Sequence, residues 1–316
     1  MQYITAYILP LLIIIISGNS FINYIKKINF GQQVRDYGPE SHLKKAGIPT
    51  MGGLLIISVF FTVSIFILPL NYEIMTILLT TFIMALTGFL DDFLKIKFKR
   101  SLGLRAWQKI LLQTAAAAVT AFTAVFVIEQ QSLMIPFFAS YNLNLVLKLI
   151  LAFIVVIGSS NAVNLTDGLD GLAAGITAVV TLAFALVFYL INSADYSLLM
   201  LIMAGSTTAF LWFNGNPASV FMGDVGSLAI GAFLGAAAVL TGTEIYLLII
   251  GGIYVIETLS VMIQVPYYKI TGGKRVFKMT PIHHHFELSG LSENKIVFRF
   301  VIITIILSLF ALFSLV

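Results

Sequence analysis

The chain has 316 residues, of which 59% are apolar and only 10% charged, with a mean hydropathy of +1.01. A soluble domain carries about 25% charged residues, so there are too few polar side chains here to coat a water-soluble globule. Cysteine is absent, which excludes disulfides and a thiolate metal site. The net charge of +4 comes with no nucleic-acid motif and no aromatic-basic platform, so the basic residues read as loops of a membrane protein and not as a nucleic-acid surface.

Apolar runs of about 17–25 residues recur along the whole length. They predict an all-α, polytopic membrane protein forming one domain over residues 1–316. Ten spans are expected, roughly 3–25, 52–70, 73–92, 110–128, 145–163, 172–191, 197–214, 227–241, 245–268 and 296–315. The first has no basic residue before it and reads as a spanning helix, not a cleaved signal. The intervening loops then alternate between two faces. One face holds 26–51, 93–109, 164–171, 215–226 and 269–295. The other holds 71–72, 129–144, 192–196 and 242–244, with both termini.

Of the 18 Lys and Arg residues, 17 fall on the first face and only Lys148 on the second. The positive-inside rule makes the first face cytoplasmic and puts both termini outside. The acids carry separate information. Glu73, Glu129, Asp195 and Glu244 lie outside and Glu257 sits in mid-span, while the rest are cytoplasmic. His42, His283, His284 and His285 are cytoplasmic too. Function is therefore expected on that face.

Several clusters there have chemical potential. Lys45 precedes Gly47-Ile-Pro-Thr50-Met-Gly-Gly53, a turn-rich entry to the second span. Gly88-Phe-Leu-Asp91-Asp92 closes the third. Neighbouring helical residues point about 100° apart, so one carboxylate can face the bundle interior and the other sideways. Such a pair suits a hard cation like Mg²⁺ or general-base duty. The plain alternative is two solvated acids ending a helix beside Lys95, Lys97 and Lys109, although acids there oppose the helix dipole. Most of these lysines read as topology determinants or lipid contacts; one or two can clamp a diphosphate.

Asn161-Ala-Val-Asn164-Leu-Thr-Asp167-Gly168-Leu-Asp170-Gly171 follows. If helical, it sets Asn164, Asp167 and Gly171 on one face, where amide and carboxylate can read a base or sugar. The alternative is a tight turn with an Asp cap on the next span. Asn214-Gly-Asn216-Pro-Ala-Ser-Val-Phe221-Met-Gly-Asp224 opens the eighth span. A glycine-flanked helix start favours phosphate. Asp224 can hold a phosphate-bridging metal and Phe221 can stack on a base, or the two can be a helix cap and an interfacial ring. In Pro281-Ile-His283-His284-His285-Phe-Glu287, three consecutive imidazoles cannot converge from one helix face, so a loop or short helix is expected. Without four spaced ligands zinc is disfavoured, and hydrogen bonds toward phosphate are preferred. Glu257 is either functional, as ionisable groups within spans commonly are, or one half of a buried interhelical hydrogen bond. No Walker loop, GxGxxG, HExxH or GxSxG motif supports ATP-driven transport, dinucleotide binding, metalloprotease chemistry or serine hydrolysis.

The segments Gly-Ile-Pro-Thr-Met-Gly-Gly at 47–53, Leu-Asp-Asp-Phe at 90–93, Asn-Leu-Thr-Asp-Gly-Leu-Asp-Gly-Leu at 164–172, Phe-Met-Gly-Asp at 221–224 and Pro-Ile-His-His-His-Phe-Glu at 281–287 occur in this order across most of the chain. With them the sequence resembles the phospho-N-acetylmuramoyl-pentapeptide transferase family, within the polyprenyl-phosphate N-acetylhexosamine-1-phosphate transferases. The histidine tract and Thr-Met-Gly-Gly favour that branch over the N-acetylglucosamine-1-phosphate branch. Ile48, where the family usually has Thr, and Asn216 depart from the pattern.

The resemblance implies transfer of phospho-MurNAc-pentapeptide from UDP-MurNAc-pentapeptide to undecaprenyl phosphate, with Mg²⁺, giving lipid I and UMP in the first membrane step of peptidoglycan synthesis. It implies a homodimer in a bacterial plasma membrane. It makes Asp224 the Mg²⁺ ligand with Asp91 and Asp92 beside it, and Asp91 a candidate base for the lipid phosphate. Lys45, Asn164, Asp167 and Phe221 match nucleoside-contacting positions. Lys109, Asn214 and His283 match further polar positions of the site, and Thr50, His284 and His285 fall within its motifs. A UDP-GlcNAc transferase is the near rival. A cation-coupled transporter built on Glu257 and the aspartates is the rival from another class.

Overall fold

The computed structural model describes residues 1–28, 47–98, 100 and 102–316. Its helices are α1 (Gln2–Lys27), α2 (Gly53–Ile67), α3 (Tyr72–Lys97), α4 (Ala106–Phe122, prolonged by a π turn at Thr123–Val127), α5 (Leu145–Thr166), α6 (Leu172–Leu190), α7 (Ala194–Asn214), α8 (Gly223–Thr241), α9 (Glu244–Ile250), α10 (Gly252–Ile270), α11 (Ile282–Glu287) and α12 (Glu293–Phe313). A two-stranded antiparallel hairpin, β1 (Ser132–Leu133) with β2 (Tyr141–Asn142), lies between α4 and α5. Eight of the helices are long and apolar enough to cross a membrane. The chain is an all-α polytopic membrane protein.

All ten expected spans are helical, but two of them are not plain spans. α2 has 15 residues, about 22 Å at 1.5 Å per residue, against a hydrocarbon core of about 30 Å. The ninth is broken: α9 and α10 meet at 82°. The break falls at Gly251-Gly252, where two residues without side chains weaken the helix.

Element ends are set by local chemistry. The Asn71 side chain accepts from Ile74 N–H at 2.9 Å to start α3, and Asn144 accepts from Leu147 N–H at 2.9 Å to start α5. The last turn of α3 carries Lys95 and Lys97, matched to the negative end of the helix dipole. Hydroxyl pairs Thr76–Thr123 (2.9 Å) and Thr80–Thr120 (2.8 Å) join α3 to α4 in the buried interior, a polar contact of the kind that links helices in lipid.

α8 is the hub. Every residue from Val225 to Leu240 is buried, and its neighbours include α2, α3, α5 and α9. The approach is too close for ordinary side chains. A Cβ on Gly88 of α3 would overlap the Asp224 carbonyl, and one on Gly53 of α2 would overlap the backbone of Gly226. Small residues let the backbones meet directly. The outermost helices, α1 and α12, are mostly exposed within the chain and present Ile, Leu and Phe to the surroundings.

Candidate active site

One end of the bundle gathers the chemistry. α3 continues past the expected end of its span to Lys97, so Asp91 and Asp92 lie within a helix and not at its terminus. α8 begins at Gly223, which places Asp224 in its first turn, where the helix dipole favours an acid. Both α3 aspartates are buried. Asp91 Oδ1 accepts from Leu104 N–H at 2.8 Å, and Asp92 Oδ2 accepts from Val225 N–H at 3.3 Å. Oxygens of Asp91, Asp92 and Asp224 all lie within 4.8 Å of one another. The expectation that one carboxylate would turn sideways is corrected: both face Asp224, because α3 packs flush against α8 at Gly88.

Two ammonium groups close over these acids. Lys95 Nζ pairs with Asp91, lies 3.1 Å from Asp224 Oδ2 and 3.5 Å from Asp92 Oδ1. Lys109, in the first turn of α4, reaches the same Asp224 oxygen at 3.1 Å. Asn164 donates to Asp224 Oδ1 at 2.8 Å and to Ser227 Oγ at 2.9 Å. Three carboxyl groups thus face two ammonium groups.

The motif loops are stitched to this centre by backbone. Phe221 N–H donates to Pro49 C=O, Gly52 N–H to Phe221 C=O and Gly53 N–H to Met222 C=O, each at 2.8 Å. The 47–53 and 221–224 motifs are therefore one structural unit. Gly223 has φ +75°, and a side chain there would crowd Asp92 and the buried Thr50 hydroxyl. Phe221 is half-buried at the edge. Lys45 lies outside the described residues.

The 164–171 segment is not one continuous helical face. α5 stops at Thr166 and Asp167 is its C-cap. Asp167 accepts from Gly223 N–H, and burial together with the negative charges of Asp224 and Asp92 pushes its carboxyl up to about 8. Asn214 is buried: its Oδ1 accepts from Gly171 N–H at 3.1 Å and its Nδ2 donates to Val220 C=O at 2.9 Å. It is a strut between two motif loops. Asn216 joins Asp170 (3.2 Å) to Glu293 of α12 (3.1 Å) in the same way.

The histidine tract is a short helix, α11. His283 is buried against Gly168, and the His284 ring lies against it, tilted by 59° with ring centroids 4.2 Å apart. His284 Nδ1 pairs with Glu287 at 3.2 Å. His285 turns to the other side and accepts from Lys278 N–H at 3.1 Å. Of the three imidazoles, His283 is the one set against the motif loop.

Lys95 was not singled out in the sequence as a site residue. Its signal was present: it stands four residues after Asp91 and three after Asp92, on one helical face. Glu257, the mid-span acid, bonds to His283.

Comparison with known proteins places the chain among relatives by sequence. Residues 74–242 match the family described as Glycosyl transferase family 4, and residues 45–57 match signature 1 of the phospho-N-acetylmuramoyl-pentapeptide-transferases. The phospho-N-acetylmuramoyl-pentapeptide-transferase of Caldanaerobacter subterraneus subsp. tengcongensis is 44% identical over 315 residues, covering 99% of each chain. That of Clostridioides difficile is 45% identical over 304 residues (95% of this chain, 94% of the relative), and that of Rickettsia prowazekii 42% over 330 (98% and 91%). Likeness at 42–45% identity over nearly the full length of each relative leads to one conclusion: the chain belongs to the phospho-N-acetylmuramoyl-pentapeptide-transferase family.

Proposed function

We propose that the chain transfers phospho-MurNAc-pentapeptide from UDP-MurNAc-pentapeptide to undecaprenyl phosphate, releasing UMP and forming lipid I. It does so as a homodimer, with Mg²⁺, on the cytoplasmic face of the bacterial plasma membrane. The observation that carries the reading is the meeting of Asp91, Asp92 and Asp224 from two helices, with Lys95 and Lys109 across them. The cytoplasmic placement is supported by 17 of 18 cationic residues falling at that face.

The donor set fits the metal. Only carboxylate oxygens converge, within 4.8 Å, and hard oxygen ligands suit Mg²⁺. Held by Asp224, Asp91 and Asp92, Mg²⁺ would neutralise diphosphate charge.

The chain's own residues do the rest. A lipid phosphate and a diphosphate repel each other, and Lys95 and Lys109 lower that barrier by binding phosphate oxygens in a partly buried setting where charge is weakly screened. Asp91 takes the proton of a monoanionic acceptor phosphate. An oxygen of that acceptor phosphate attacks the phosphorus that bears the sugar, the bond to the UMP oxygen breaks, and UMP leaves. Phe221 stacks on the uracil, and Lys45, Asn164 and Asp167 contact the nucleoside. Thr50 and Asn214 hold the loops that shape this pocket, His283 bears on the motif loop at Gly168, His284 faces the diphosphate, and His285 braces their helix. The attack is direct, in fewer steps than through an aspartyl-phosphate intermediate.

The test is UMP release by purified protein with undecaprenyl phosphate, with and without Mg²⁺, offering either UDP-MurNAc-pentapeptide or UDP-GlcNAc. Release with the first donor alone is expected; release with UDP-GlcNAc alone would overturn the assignment.

A further inference from the structure

The loop between α5 and α6 is fastened at both of its ends. At the first, Asp167 accepts from Gly223 N–H at the start of α8. At the second stand groups that have no part in the transfer just described. Asp170 is buried there. Its backbone N–H donates to Glu293 Oε1 at 2.6 Å. Its own Oδ2 accepts from Ala218 N–H at 3.0 Å and from Asn216 Nδ2 at 3.2 Å. Asn216 Nδ2 donates in addition to Glu293 Oε2 at 3.1 Å.

Glu293 lies outside every motif singled out in the sequence. It stands in the first turn of α12, and α12 packs along α6, so it holds the loop from the frame of the bundle. The residue types suit the task. Two ionised carboxylates only accept hydrogen bonds, and side by side they repel. An amide nitrogen carries two hydrogens, so Asn216 can give one to Asp170 and one to Glu293. The Asp170 N–H, which would be costly to bury without an acceptor, finds it on Glu293.

We propose that Glu293 is a positioning residue for the donor: with Asn216 it clamps the 167–171 loop in the shape that receives the nucleotide half of UDP-MurNAc-pentapeptide. The proposal rests on the transferase reading given above, in which Asn164 and Asp167 contact the nucleoside. A loop already held in its binding shape does not have to be ordered by the ligand. The clamp acts alike on the bound donor and on the transition state. Its loss is therefore a loss of uniform binding, which raises KM and leaves kcat in place.

The experiment follows UMP release by purified protein in detergent with undecaprenyl phosphate, and measures UMP binding by calorimetry. Glu293→Ala raises donor KM about tenfold, as losing one hydrogen bond to a charged group does, and weakens UMP binding by the same factor. Its kcat and its KM for undecaprenyl phosphate change less than about threefold. Glu293→Gln keeps an oxygen for the Asp170 N–H and brings donor KM back to within about threefold of the wild type. Asn216→Asp, at an exposed position, sets a third carboxylate between the other two and raises donor KM as Glu293→Ala does. Wild-type donor KM and UMP affinity in Glu293→Ala overturn the proposal, as does a fall in kcat at unchanged donor KM. If Glu293→Ala does not fold, Asn216→Asp decides by the same two measurements. A wild type that binds UMP but releases none from this donor counts against the transferase reading instead.

Discussion

The two ends of the bundle each bury charge, and they do so differently. At the hairpin end, Lys148 in the first turn of α5 pairs with Glu244 of α9, and both side chains are shut from solvent. One cation meets one anion. Lys148 is also the cation that falls outside the basic face, and its partner is next to it. At the site end, three carboxylates meet two ammonium groups. A buried pair that balances can serve as structure alone, whereas a cluster left negative in a weakly screened setting favours a further cation. The difference teaches which buried charges to read as chemistry: those whose charges do not cancel.

This contrast can be broken by experiment. The largest effect is expected at the unbalanced end. Asp224→Asn should lower UMP release by about 10³-fold in a protein that stays folded; near-normal turnover would remove Asp224 from the metal role. Lys95→Met should cost about 10²-fold in turnover, measured by the same assay, although this residue drew little notice in the sequence. At the balanced end, Lys148→Met should destabilise by about 3–5 kcal/mol, as breaking a buried pair does. Thermal unfolding in detergent measures it, and the Mg²⁺ concentration for half-maximal activity should not move. A shift in that requirement would show that the ends are not independent.

Smaller effects sharpen the same point. Mg²⁺ at about 100 times its dissociation constant should stabilise the wild type by about 2.7 kcal/mol; the shift should vanish in Asp224→Asn and persist in Lys148→Met. The last concerns Asp167, whose carboxyl is pushed up to about 8. An acid with a raised folded-state pKa binds its proton more tightly folded than unfolded, so its contribution to stability is lost as pH rises through that value. In EDTA, the wild-type Tm should fall from pH 6 to pH 8.5, and Asp167→Asn should flatten the fall.

Much of this was legible in the sequence, for physical reasons. Membrane helices announce themselves by apolar length, and the basic residues mark one face without any knowledge of contacts. Asp91, Asp92, Asn164 and Asp224 stood out because polar residues at the ends of apolar runs are costly unless used. What escaped depended on distance along the chain. Lys95 is not told apart from Lys97 and Lys109 in the sequence, because the apolar run stops near Asp92 while the helix does not. Asn214 was read as a site residue, but its amide is occupied by Gly171 and Val220. The pairing of Glu257 with His283, 26 residues away, and of Lys148 with Glu244, 96 residues away, is decided by packing and leaves no periodic trace. The break at Gly251-Gly252 did leave one, in two adjacent glycines inside an apolar run.

The seam where Gly88 lies against Asp224 and Gly53 against Gly226 has a consequence for how this enzyme tolerates change. On α1 and α12, exchange of one aliphatic residue for another is nearly free, and neutral drift has room to work. Along the seam no side chain of any size fits, so the alphabet shrinks to a single letter. A library of random variants selected for growth should therefore fall silent at positions 53, 88 and 226 while its outer helices fill with variety. Any route to a changed substrate preference must run through the loops, since the frame carrying Asp224 cannot be resized.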